Sequence, residues 1–183
     1  KNYYDEPFVN GVSRTIAPFN EGSGKLWSVI HYKKMIDQFT SPHNELPRAW
    51  LYIGIFPNFV LGFYPDVVTF YQEIPFSAKE TAIRSSTYKR ADENRTMRLA
   101  RYLSERIDAT AIAEDWHLSI MWNEGMKSSA NKGIILSDLE YGVRTHHDAL
   151  REILPVMNHE IEPTRGTLLE RNNSAQNLPP NKA

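Results

Sequence analysis

Residues 113–129, Ala-Glu-Asp-Trp-His-Leu-Ser-Ile-Met-Trp-Asn-Glu-Gly-Met-Lys-Ser-Ser, set two adjacent carboxylates inside an apolar segment that ends at a glycine. An ionised Asp or Glu facing a core is costly unless it is paired, neutralised or bound to a metal, so Asp115 is the first candidate for chemistry. On a helix, Ile112, Ser119 and Trp122 share its stripe at spacings of three, four and seven, and none is basic. Two readings stand: a surface acid paired with Lys or Arg, and an inward-facing acid. The local spacing favours the second.

Glu114 and His117 have the Glu-x-x-His spacing by which one helix gives two ligands to a metal in a carboxylate-bridged di-iron bundle. That site needs a second such motif, which the chain lacks, so Glu114 reads as a partner in a structural ion pair. His146 and His147 are adjacent and diverge by about 100° on a helix, so one is expected to pack and the other to meet solvent. His31 reads as a strand residue, His43 as a loop residue and His159 as part of the tail. Each is more simply a satisfied structural histidine than a metal ligand. Ser128 and Ser129 have no nucleophile-elbow context, and no glycine-rich phosphate loop occurs.

The elements that must position these groups change character along the chain. Residues 25–32, 49–56, 59–64, 67–76 and 79–89 are aromatic, β-branched or alternating and read as strands, with a hairpin at Gly22 to Gly24 and a polar loop through Ser41, Pro42, Asn44 and Pro47. Strands in series without helices between them imply an antiparallel meander. From residue 92 to about 126, Leu99, Leu103, Ile107, Ala111, Leu118 and Met121 recur at helical steps, with a possible break at 108–110. Ser137-Asp138-Leu139-Glu140 is a capping box that opens a second helix; Leu139, Val143, Leu150 and Leu154 fill one face of it and Pro155 stops it. The remainder, 158–183, is a polar tail expected to be flexible or docked on a partner.

Composition bounds the function. The 183 residues are 41% hydrophobic, enough for one core. Lys and Arg number 21 against 22 Asp and Glu without long runs of either sign, which leaves nucleic acid and anionic membranes without electrostatic support. The absence of cysteine removes disulfides, zinc-thiolate sites, iron–sulfur ligation and a thiol nucleophile from this chain. With neither a spanning apolar run nor a signal peptide, a cytoplasmic location is expected. Lacking an initiator methionine, the chain reads as a piece of a longer one.

Glu114-Asp115, Ser119, Trp122-Asn123, Gly125 and Ser128, followed by Leu136-Ser137, Glu140, Val143 and His147, resemble the end of the catalytic domain of Rieske non-heme iron oxygenases, the large subunits of ring-hydroxylating dioxygenases and related monooxygenases. Phe56-Pro57-Asn58-Phe59-Val60-Leu61, Asp66-Val67-Val68 and Ile74-Pro75 resemble the same domain in the same order, so the resemblance spans roughly residues 45–155. It implies an α+β helix-grip (START-like) fold, an antiparallel sheet curled around C-terminal helices, with residues 1–157 as a partial catalytic domain. It also implies a mononuclear Fe(II) held by two histidines and one aspartate, with Asp115 as that aspartate, inside an apolar pocket.

The family usually has Gln at the position of Asn123, and its Asp-x2-His-x4-His motif is missing here. Both histidine ligands are therefore expected upstream of Lys1, together with the domain that holds the 2Fe-2S Rieske cluster. The implied partners are that domain, a neighbouring subunit in a homotrimer or larger oligomer, a reductase or ferredoxin carrying electrons from NAD(P)H, O2 and an aromatic or other small organic substrate. These residues alone are expected to be inactive. The reading from another class is a non-catalytic helix-grip module that binds an apolar small molecule.

Overall fold

The structure, a computed structural model, describes residues 4–18, 25–38, 49–77, 80–131, 133, 135–161 and 163–178. Its framework is a six-stranded antiparallel meander in which every strand pairs with its sequence neighbour: β1 (Tyr4–Asp5), β2 (Val12–Pro18), β3 (Ala49–Ile55), β4 (Phe59–Phe63), β5 (Val67–Ser77) and β6 (Glu80–Lys89). The expected strands from residue 49 onward are all present. β1 and β2 were not anticipated; β2 is legible only through its full register with β3, from Val12 opposite Ile55 to Pro18 opposite Ala49.

Between β2 and β3 the chain forms a helix, α1 (Trp27–Ile36), where residues 25–32 were expected to be a strand. Aromatic and β-branched residues favour a pleated surface locally, but Ser28, Tyr32 and Ile36, the buried residues of α1, recur every four positions. That spacing aligns them on one helix face, and packing overrides propensity. His31 consequently lies on a helix, its ring 4.7 Å from that of Trp27. The expected hairpin at Gly22 to Gly24 and the loop carrying His43 fall outside the described residues.

α1 packs on the first third of a continuous helix, α2 (Arg95–Met126). Asn94 caps it, its side-chain oxygen accepting the Met97 N–H at 3.0 Å. No break interrupts residues 108–110; the Thr110 hydroxyl bonds back to the Arg106 carbonyl at 2.9 Å and stays within the helical ladder. Tyr32, Ile36, Ala100, Leu103 and Ile107 form the core, with Val29, Met35 and Trp50 packed against it. The face of the sheet turned toward this core carries Trp50, Tyr52, Tyr64 and Thr69, with the rings of Trp50 and Tyr64 5.5 Å apart.

The capping box forms as expected, the Ser137 N–H donating to the Glu140 carboxylate at 2.6 Å, and it opens a 3-10 turn (Asp138–Glu140) that leads into α3 (Tyr141–Ile153). Most of the expected apolar face does not pack: Leu139, Val143 and Leu154 are exposed and only Leu150 is part-buried. The docked face is instead Gly142, Thr145 and His146. A second 3-10 turn (Pro155–Asn158) stops α3 at Pro155, as anticipated. The tail expected to be flexible contains a helix, α4 (Leu168–Ala175), whose buried Asn172 accepts the Val156 N–H at 3.3 Å. The chain is thus α+β and helix-grip-like, with an open antiparallel sheet and C-terminal helices.

Candidate functional site

At 1.5 Å per residue α2 is about 48 Å long, roughly three times α1, so most of it has no helix beside it. Its buried residues are Met97, Ala100, Leu103, Ser104 and Ile107; after the part-buried Asp108 every residue of α2 is exposed. Asp115 lies in this projecting part. It is solvent-exposed, although its stripe continues the face that carries buried Ser104, because nothing among the described residues covers that stripe beyond Ile107. The apolar pattern itself is real: Ile112, Trp116, Leu118, Ile120, Met121, Trp122 and Met126 are all exposed. A helix apolar on more than one face is ordinarily buried.

Among the described residues, Asp115 is the only charged group lining a groove of about 550 Å³ formed with Leu118, Ser119, Trp122, Asn123 and Met126. These are the residues in which the sequence motif is densest. A carboxylate at the edge of an apolar wall can ligate a hard or borderline cation and leave the rest of its coordination sphere to other groups.

The other predicted residues are not brought to Asp115. Glu114 and His117 are exposed on α2, and neither has a salt bridge among the described residues. The ring of His146 is held between Phe8 and Phe56, at 5.2 and 5.4 Å between centroids, and burial, reinforced by His147, depresses its basicity. His147, at 6.4 Å from His146, is also part-buried, so the expected split into one packed and one solvated ring is only partial. His159 lines a separate groove of about 610 Å³ with Glu160 and Arg171. Among the described residues no cluster of three His, Cys, Asp or Glu could hold a metal ion. Tested against the two-histidine, one-carboxylate iron site that the resemblance implies, the described residues of this groove offer one carboxylate and no histidine, and do not make up such a site.

A polar centre that the sequence reading passed over lies under the sheet. Asp66, only 2% exposed, is the last residue of the β4–β5 connection, and its carboxylate accepts the Tyr32 hydroxyl at 2.5 Å and the Ser104 hydroxyl at 2.7 Å. Burial raises its pKa while those two hydrogen bonds and Arg101 pull it back down. Asp108, one turn beyond Ser104, is half-buried, and burial together with the charges of Asp66 and Glu105 pushes it up to about 6. Next to them the phenols of Tyr52 and Tyr71 each lie 3.4 Å from that of Tyr64, whose pKa burial also raises. The available signal was an Asp wedged between apolar Pro65 and Val67, in a segment the sequence reading used only for the family resemblance.

No helix among the described residues is long and apolar enough to cross a membrane. The family model described as ring hydroxylating alpha subunit (catalytic domain) matches residues 8–155, a longer span than the motifs from residue 45 onward. No curated protein matches the chain.

Proposed function

The chain belongs to the ring-hydroxylating alpha subunit family, in its catalytic domain, and from that premise we propose that it is part of a Rieske-type non-heme iron oxygenase in which Asp115 is the carboxylate ligand. The family places the chain among oxidoreductases that use non-heme iron. The observation that carries the assignment of Asp115 is its position as the single acid of an apolar groove on α2.

Bound beside Asp115, the iron would supply O2 activation for hydroxylating a small organic substrate. The chain's own contribution is different. Asp115 offers one anionic ligand, and Leu118, Trp122 and Met126 offer an apolar wall that excludes water from that side. The two histidine ligands come from residues that the described structure does not bring to Asp115, so these 183 residues alone are expected not to turn over. Electrons reach such a site from NAD(P)H through a reductase and a Rieske 2Fe-2S cluster in a separate domain, within an oligomer of alpha subunits in the cytoplasm.

The test is Asp115→Ala in the complete oxygenase. Mononuclear iron and product formation should both be lost while the Rieske cluster is still reduced by NAD(P)H and its reductase, since the cluster occupies another domain. Glu114→Ala should be milder. An Asp115→Ala protein that keeps its iron and its turnover would make Asp115 a surface acid without catalytic role.

A further inference from the structure

Ser104, Asp108 and Asp115 stand four and seven residues apart on α2, which at about 100° per residue puts all three within about 40° of one another around the axis. Whatever orients Ser104 therefore orients Asp115. The apolar contacts of α2 with α1 are non-directional and restrict small rotations of the helix less sharply than a hydrogen bond does. The Ser104 hydroxyl, 3.0 Å from the Arg101 carbonyl of its own helix, makes its shorter bond, 2.7 Å, to Asp66, which is itself immobilised. Its neighbours Tyr64, Pro65 and Val67 are buried, and its other oxygen is held by Tyr32 of α1.

We propose that Asp66 is a positioning residue for Asp115: clamped between Tyr32 and Ser104, it sets the rotation and axial register of α2 and hence the direction that Asp115 faces eleven residues further on. The inference rests on the reading of Asp115 as an iron ligand. Scale supports it. A rotation of about 20° moves a group on the outer surface of a helix, about 5–6 Å from the axis, by roughly 2 Å, which is a whole metal–ligand bond length. Beyond Ile107 no buried residue of α2 among those described could correct such an error.

The experiment uses the complete oxygenase and four variants: Ser104→Ala, Ser104→Thr, Tyr32→Phe and Asp115→Ala. Two quantities are read: hydrogen exchange of α2 amides over residues 108–119, and the Kd for Fe(II) at the mononuclear site, with the Rieske absorbance as control for the fold. Ser104→Ala should raise exchange over 108–119 and weaken Fe(II) binding about tenfold, the usual scale for groups that orient a ligand. Tyr32→Phe, which keeps the ring, should act in the same direction and serves if Ser104→Ala does not fold. Ser104→Thr restores the hydroxyl and should restore both readings. If Ser104→Ala and Tyr32→Phe lower the melting temperature but leave Fe(II) affinity within twofold, while Asp115→Ala abolishes it, Asp66 is merely structural and the proposal is overturned. If Asp115→Ala itself keeps Fe(II), the assignment of Asp115 fails, and the positioning role with it.

Discussion

The imidazole of His146 lies against the ring of Phe8, 5.2 Å between centroids, and this contact ties α3 to the end of the sheet. Around it the Phe8 N–H donates to the Thr145 hydroxyl at 3.3 Å, and Asp5 accepts both the Gly142 N–H at 3.2 Å and the Thr15 hydroxyl at 2.5 Å. α3 is thus held at its first two turns, with its outward apolar residues uncovered.

That contact makes α3 sensitive to acid. The pKa of His146 is lowered in the folded protein, so as pH falls below the ordinary histidine value of about 6.5 the unfolded chain takes up a proton before the folded one does, and docking loses stability. Its contribution is fully present above pH 6.5. Protection factors of α3 amides, corrected for the intrinsic pH dependence of exchange, should fall between pH 7.5 and pH 5.5, and His146→Phe should flatten that dependence. A pH-independent profile in the parent protein would contradict the assignment.

Asp108 carries the opposite sign. Its pKa is raised to about 6, so the folded state holds a proton that the unfolded state gives up near pH 4, and the stabilisation present at low pH is lost as pH rises through about 6. Asp108→Asn should therefore stabilise the protein at pH 7.5, by about 1 kcal/mol once the part-exposed position is discounted for screening, and by nothing at pH 4. Urea unfolding at the two pH values measures both.

Gly62 and Thr69 face each other across β4 and β5. A Cβ on Gly62 would stand 2.7 Å from the Thr69 hydroxyl oxygen, so Gly62→Ala should cost about 1–3 kcal/mol by overpacking. The same hydroxyl is buried without a hydrogen-bond partner among the described residues, and Thr69→Val should be neutral or stabilising by up to about 1 kcal/mol. The melting temperature should fall for Gly62→Ala and hold or rise for Thr69→Val.

Removing the cap of α2 tests how its packed first third carries the projecting remainder. Asn94→Ala deletes the acceptor of the Met97 N–H and should destabilise the fold by about 1 kcal/mol, whereas Asn94→Asp or Asn94→Ser should be nearly neutral. Equal losses for all three substitutions would assign the effect to something other than capping.

Local patterning alone determined the strands from residue 49 onward, the span of α2, the capping box at Ser137 and the stop at Pro155, because alternation, helical recurrence and terminal chemistry are properties of adjacent residues. The part of the motif from Glu114 to Gly125 was equally readable, since those residues sit on one helix. Tertiary structure decided the rest. α1 is a helix only because Ser28, Tyr32 and Ile36 find the face of α2, and β2 is a strand only because β3 pairs with it. Asp66, Ser104 and Tyr32 are 34 and 38 residues apart along the chain, and nothing in their spacing announces that they share one buried carboxylate. The exposure of Asp115 depends in the same way on where α1 ends, so the helix could be read from its own residues while the cover over its inner stripe could not.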